Sequence, residues 1–168
     1  NNRVHEGSVE FASPPRVDTV IMNPPFTRKE RLTVEMRGGF SQIFKSSQNY
    51  WAYFLVLADH LLEKGGKIGA VLPRDIMTGH HSKAVREWLF KERTYGVRYI
   101  VKTTKEIAFS EDSRFRDFLI VLEKQTLPEK FAVVYLKKHL SSYTIESAAL
   151  LGRKIRDIRI GRAFEDDE

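Results

Sequence analysis

The sequence predicts an α/β domain built on a largely parallel sheet, and three observations carry that prediction. Strand-type and helix-type segments alternate as strand, helix, strand, helix, strand. The strand-type segments are short runs rich in Val, Ile and Leu, as in strands buried within a sheet. A glycine pair, Gly65-Gly66, separates one helix from the strand behind it.

Val17 to Met22 reads as the first buried strand, and Asn23-Pro24-Pro25 stops it. Residues 27–49 are polar, contain Gly38-Gly39 and several serines, and read as a long loop. Asn49 to Glu63 is a predicted helix with Trp51, Phe54, Leu55, Ala58, Leu61 and Leu62 inward and Gly65 as its stop. Lys67 to Leu72 is the second strand, ended by Pro73. Ser82 is the expected cap of a helix running to Arg93, with Val85, Trp88 and Leu89 inward. Val97 to Thr103 is the third strand, Arg116 to Leu122 the fourth, and Phe131 to Leu136 reads as a fifth. Thr144 to Ile158 forms a closing helix, and the final "EDDE" reads as a frayed acidic tail. In such sheets ligands gather beyond the carboxyl ends of the strands. The loops leaving those ends are "NPPF" with its basic tail, "PRDIMTGHH" at 73–81 and "TKEIAFSEDSR" at 104–114.

The 168 residues suit one domain with a real core. A net charge of +6 is compatible with a polyanionic partner without requiring one. There is no cysteine, which excludes disulfides, thiolate zinc sites and cysteine nucleophiles and suits an intracellular, cytoplasmic protein. The longest apolar run, Tyr50 to Ala58, is far too short to span a membrane, and no signal peptide is visible. The chain begins at Asn1 rather than at Met and reads as a fragment of a longer protein.

Asn23-Pro24-Pro25-Phe26 is a rigid turn on any reading. It also suits one kind of chemistry. A primary amine on an aromatic ring is a poor nucleophile, because its lone pair is delocalised. Two acceptors on its two N–H bonds hold the amine and favour a pyramidal nitrogen. The Asn23 side-chain oxygen is one such acceptor and the Pro24 carbonyl the other, with the prolines fixing its place. Phe26 can stack on the flat ring that bears the amine.

On these residues the chain resembles the S-adenosylmethionine-dependent amino methyltransferases, whose catalytic motif is [Asn/Asp/Ser]-Pro-Pro-aromatic after a buried strand. "NYWAYFLVLADHLLEKGGKIGAVLP" at 49–73 is similar to the helix, Gly-Gly turn and strand that follow this motif in type I and related restriction-modification enzymes. "VRYIVKTTKEIAFSEDSRFRDFLIVLEK" at 97–124 resembles their next strand, a Phe-bearing loop and an antiparallel strand. The resemblance covers roughly residues 4–136. It implies the C-terminal half of a DNA adenine methyltransferase catalytic domain at 1–136, then a helical extension and acidic tail at 137–168. The fold implied is the later part of a Rossmann-like methyltransferase sheet, its last strand antiparallel and its first half missing. Asn23 and the Pro24 carbonyl then hold the amino group of a flipped adenine, and Phe26 stacks on the base. Phe109 matches the aromatic of the later loop, with a core position as the other reading. The methyl donor is S-adenosylmethionine and the partner is DNA. The family's glycine-rich cofactor turn lies upstream of this motif, and no G-x-G occurs here. Ser8 stands where a cofactor-contacting acid is usual, with Glu6 and Glu10 out of register.

Arg28, Lys29 and Arg31 are candidate DNA-phosphate contacts, with a solvated loop as the alternative. His80-His81 lacks further ligands at metal spacing and reads as a loop pair. No acidic residue has a lysine two places on, so the nuclease pattern is missing. Two other functions stay open: a non-catalytic DNA-binding or assembly module, and an RNA adenine or protein glutamine methyltransferase. The isolated chain is expected to bind S-adenosylmethionine weakly and to be inactive. Its first strand normally lies beside a cofactor-binding strand. The edge of Val17–Met22 is therefore expected to be covered by a second copy, by the chain's own terminal segment or by a partner subunit.

Overall fold

A computed structural model of the chain describes residues 14–46, 48–103, 117–126, 131–136, 142–157 and 163–166. Among the described residues six strands form one sheet: β1 (Val17–Met22), β2 (Leu62–Pro73), β3 (Gly96–Thr103), β4 (Asp117–Glu123), β5 (Ala132–Leu136) and β6 (Ala163–Asp166). Their order is β1-β2-β4-β3-β5-β6. β1 runs parallel to β2, β3 to β5, and β5 to β6, while β4 is antiparallel to both β2 and β3. The antiparallel strand thus fills the space between two strands that share a direction, and β5 and β6 extend the sheet beyond it.

The parallel pair β1–β2 needs a crossover, which α1 (Val34–Phe44) and α2 (Tyr50–Leu61) supply. Alternation along the strands sets the core. Ile68, Ala70 and Leu72 of β2 and Phe118, Ile120 and Leu122 of β4 are buried and cluster with Trp51, Leu55 and Ala58 of α2. Val85 of α4 (Lys83–Glu87) joins them, with Trp88 and Leu89 from the wider π-type turn Trp88–Glu92 behind it. Each of the Ile, Leu, Val and Phe side chains among them contributes about 1.5–3 kcal/mol by leaving water.

Several expectations are corrected. The segment 27–49 is not one long loop: a 3-10 turn spans Lys29–Arg31 and α1 follows. Gly38-Gly39 lowers helix propensity there, yet Phe44 is buried and Ile43 packs on the core, and that packing outweighs it. α2 ends at Leu61, and β2 begins at once, well before Lys67. Gly65 is therefore no helix stop. It lies inside β2 at φ +77, a conformation that favours glycine, and its N–H donates to the Lys124 carbonyl at 3.1 Å. Pairing with β1 jumps there from Val17↔Leu62 to Thr19↔Lys67. Ser82 makes no cap hydrogen bond to its helix. The tail is not frayed at Glu165 and Asp166. After α5 (Ile145–Asp157), capped by Thr144 Oγ1 accepting from Ser147 N–H at 3.2 Å, the chain returns parallel to β5. The β5–α5–β6 unit carries the sheet across the expected boundary at 136/137.

β1 is an edge strand among the described residues, with Ile21 85% and Val17 38% exposed. The described terminal segment, β6, lies at the opposite edge. It therefore does not provide the expected cover. No helix among the described residues is long and apolar enough to cross a membrane.

Candidate functional site

The neighbouring parallel strands β1 and β2 end side by side, and the chain leaves each through proline. After β1, Asn23 is exposed, Pro24 buried, Pro25 exposed, and Phe26 half-buried against the core. No described residue hydrogen-bonds the Asn23 side chain. Beyond Phe26 the backbone is tied to the start of α2: Tyr50 N–H donates to the Thr27 carbonyl at 2.9 Å, and Lys29 N–H to Asn49 Oδ1 at 3.1 Å.

At the end of β2, Pro73 is buried, and the short helix α3 (Asp75–Thr78) follows. Ser82 Oγ donates to Asp75 Oδ2. Arg86 Nη1 donates to the carbonyls of Ile76 at 3.1 Å and Gly79 at 2.7 Å. Gly79 sits so close to this carboxylate that an added Cβ would lie 1.6 Å from Asp75 Oδ1. Gly79→Ala should therefore expel Asp75 from its place beside Ser82. The expected loss is about 1–3 kcal/mol, read as a lower melting temperature together with faster amide exchange over residues 75–82.

Between the two loops lies a cleft of about 400 Å³. Phe26, Arg28 and Lys29 line one side, Pro73, Asp75 and Ser82 the other, and Gln48, Asn49 and Trp51 also face it. It stands beyond the carboxyl ends of parallel strands, where this class of sheet places its ligands. The lining combines a half-buried ring and amides with both cationic (Arg28, Lys29) and acidic (Glu30, Asp75) side chains, which suits a flat polar substrate.

The expected site residues are brought together only in part. Asn23, Pro24, Phe26, Arg28, Lys29 and Arg31 follow one another out of β1; of these, Phe26, Arg28 and Lys29 line the cleft. Arg31 is exposed on the 3-10 turn. His81 lines the cleft and His80 is exposed beside it, the rings 6.1 Å apart. Among the described residues no group of three or more His, Asp or Glu is placed to hold a metal ion. Ser8 and Phe109 lie outside the described residues. Asn49, Asp75 and Ser82 were not singled out as site residues in the sequence, Ser82 being read only as a helix cap. Asn49 read only as a helix start, and the Asp75–Ser82 contact joins two loop positions that no pattern links.

The strongest electrostatics lies at the other end of α2, about 15 Å from Asn49 along the helix. Asp59 is 2% exposed. Its carboxylate accepts from Arg93 Nε at 2.7 Å and Tyr95 OH at 3.0 Å, and Lys124 Nζ stands 3.1 Å from Oδ1. The ammonium also donates to the carbonyls of Asp59 at 2.6 Å and Leu62 at 3.0 Å. Burial pushes the Asp59 carboxyl upward, but hydrogen bonds from Arg93, Lys124 and Tyr95 outweigh it and hold the group below its ordinary value. Burial and the neighbouring carboxylate push the Tyr95 hydroxyl far up. This network clasps α2 to β4 and to the start of β3.

The profile of the Eco57I restriction-modification methylase family matches residues 7–109, more than half of the chain and all of the proline turn and the cleft. The chain belongs to that family. Among curated proteins nothing matches it. Solved structures share the fold of this Eco57I-type chain. A Listeria monocytogenes protein assigned to the class I S-adenosylmethionine-dependent methyltransferases is 14% identical with a TM-score of 0.63, covering 88% of this chain and 44% of its own. The modification subunit of a type I restriction enzyme from Vibrio vulnificus is 18% identical with a TM-score of 0.62, covering 89% and 33%. The type IIG restriction endonuclease BpuSI is 21% identical with a TM-score of 0.61, covering 88% and 18%. The Eco57I-type chain has the class I methyltransferase fold, and it spans less than half the length of each of these neighbours.

Proposed function

We propose that this chain is the methyl-acceptor half of a DNA adenine methyltransferase that acts in the cytoplasm within a restriction-modification system. The observation that supports this best is the end of β1: an exposed Asn23 amide with no described partner, then buried Pro24, then Phe26 at the mouth of the cleft. Asn23 Oδ1 and the Pro24 carbonyl accept from the two N6 hydrogens of adenine. Phe26 stacks on the base, which must leave the duplex because its amine is unreachable while paired. Arg28, Lys29 and Arg31 meet the phosphates beside the flipped nucleotide. S-adenosylmethionine, when bound, supplies an electrophilic methyl group. With N6 held by Asn23 and Pro24, an N6–C bond would form as the donor's S–C bond breaks to leave S-adenosylhomocysteine, and one N6 proton would pass to solvent.

The described residues hold no glycine-rich turn after a strand. Tight binding of the methyl donor is therefore assigned to parts of the protein outside them, either an N-terminal half or a partner subunit. Alone, the chain is expected to be inactive. The test is transfer of labelled methyl by the full-length protein to DNA, followed by nucleoside analysis. N6-methyladenine is the expected product, and label on cytosine, on RNA only or on protein overturns the reading.

The ring of Phe26 gives a second check. Phe26→Ala should weaken capture of the flipped base by about 1–3 kcal/mol, while Phe26→Tyr and Phe26→Trp should stay close to the parent. The measurement is emission from 2-aminopurine placed at the target position. Equal behaviour of all three variants would make Phe26 a core residue and no platform.

A further inference from the structure

Asn49 occupies the N-cap position of α2, with extended backbone at φ −67 and ψ 156. An asparagine there ordinarily turns its side-chain oxygen onto the N–H groups of its own first turn. This one makes no such bond. Its Oδ1 accepts instead from Lys29 N–H at 3.1 Å, twenty positions earlier in the chain. The neighbouring Tyr50 N–H, one of the helix's unsatisfied donors, goes to the Thr27 carbonyl at 2.9 Å. Two bonds therefore strap residues 27 and 29 to the helix start, directly behind Phe26.

The anchor is rigid. Trp51 and Tyr53 are buried in the first turn of α2. Gln48, also buried, donates its backbone N–H to Tyr53 OH at 3.3 Å and its side-chain amide to Ser46 Oγ at 2.7 Å. Asn49 faces the cleft with Phe26, Arg28 and Lys29. We propose that Asn49 is a positioning residue for methyl transfer: by holding Lys29 N–H it sets where the Phe26 ring meets the flipped base. The inference rests on the adenine-methyltransferase reading given above. A displacement of about 1 Å at a reacting geometry can slow a reaction by roughly 10²-fold, which makes such a strap visible in a rate.

The test compares Asn49→Ser and Asn49→Asp with the parent and with Asn23→Ala, all in the full-length protein. Serine is a favoured cap residue, so α2 keeps a start, but its side chain is one bond too short to reach Lys29. Aspartate keeps the acceptor at the same distance. Asn49→Ser should lower the single-turnover methylation rate at saturating DNA by roughly 10- to 100-fold. It should also speed amide exchange in the peptide over residues 26–32 and alter 2-aminopurine emission at the target, with little change in melting temperature. Asn49→Asp should restore the rate and the amide protection, with any cost from its charge confined to the KM for DNA. A parent-like rate in Asn49→Ser, or an Asn49→Asp rate as low as that of Asn49→Ser, overturns the inference. Normal turnover in Asn23→Ala instead removes the catalytic role from the proline turn, and a parent protein that forms no N6-methyladenine overturns the adenine-methyltransferase reading itself, whatever the Asn49 variants do.

Discussion

Replacing Asn23 by alanine in the full-length protein is expected to slow methyl transfer by roughly two to three orders of magnitude. The proposed role of Asn23 is to accept one N6 hydrogen where positive charge develops on the nitrogen. Removing one preorganised hydrogen-bonding group from such a position has costs of that size. Stability should barely move. Asn23 is exposed and makes no side-chain bond to a described residue, and surface changes of this kind stay within about 0.5 kcal/mol. Asn23→Asp, which keeps an acceptor, should retain part of the activity. The measurements are labelled-methyl transfer and thermal melting on the same samples. Near-normal turnover in Asn23→Ala would remove the catalytic role from the proline turn.

The second large effect concerns stability. Asp59→Ala is expected to destabilise the fold by about 3–5 kcal/mol, because it leaves the buried Lys124 ammonium without its counter-charge and the Tyr95 hydroxyl without its acceptor. Replacing Asp59 and Lys124 together by apolar residues should cost far less than the single change. The pH dependence follows from the lowered Asp59 carboxyl. A carboxylate depressed in the fold stabilises above its unfolded value, about 3.9. That contribution is lost as pH falls through the folded value. The gap in urea-unfolding stability between parent and Asp59→Ala should therefore be full at pH 7 and shrink below about pH 4. A gap independent of pH down to 3 would mean that Asp59 acts by packing and not by charge.

Much of the fold was legible because its strands carry their own signals. Val17–Met22 has the bounds expected from its residues. The central "FLIVL" marks β4, whose alternate residues Phe118, Ile120 and Leu122 are buried. What escaped depends on contacts between distant segments. α1 was hidden by two glycines and several polar residues, and Phe44 against Trp88, at 5.6 Å between rings, helps to fix it. β6 is four residues long and has a partner only because α5 carries it back to β5. The Asp59 network draws on positions 59, 93, 95 and 124, and no local pattern joins them. The site divides in the same way. The Asn23–Phe26 turn is a contiguous motif, whereas Asn49 and the Asp75–Ser82 pair gain their meaning from what lies opposite them.

The two margins of the sheet differ in chemistry. At one end β6 has the sequence Ala-Phe-Glu-Asp, and two like carboxylates in four residues oppose the approach of another such strand. At the other end β1 reads Val-Asp-Thr-Val-Ile-Met, with a single charge and with Ile21 in solvent. Among the described residues the sheet is thus asymmetric: backbone pairing is favoured at the β1 margin and disfavoured by the carboxylates of β6. Among the described residues, this asymmetry favours association at the β1 margin over the β6 margin and so works against open-ended stacking.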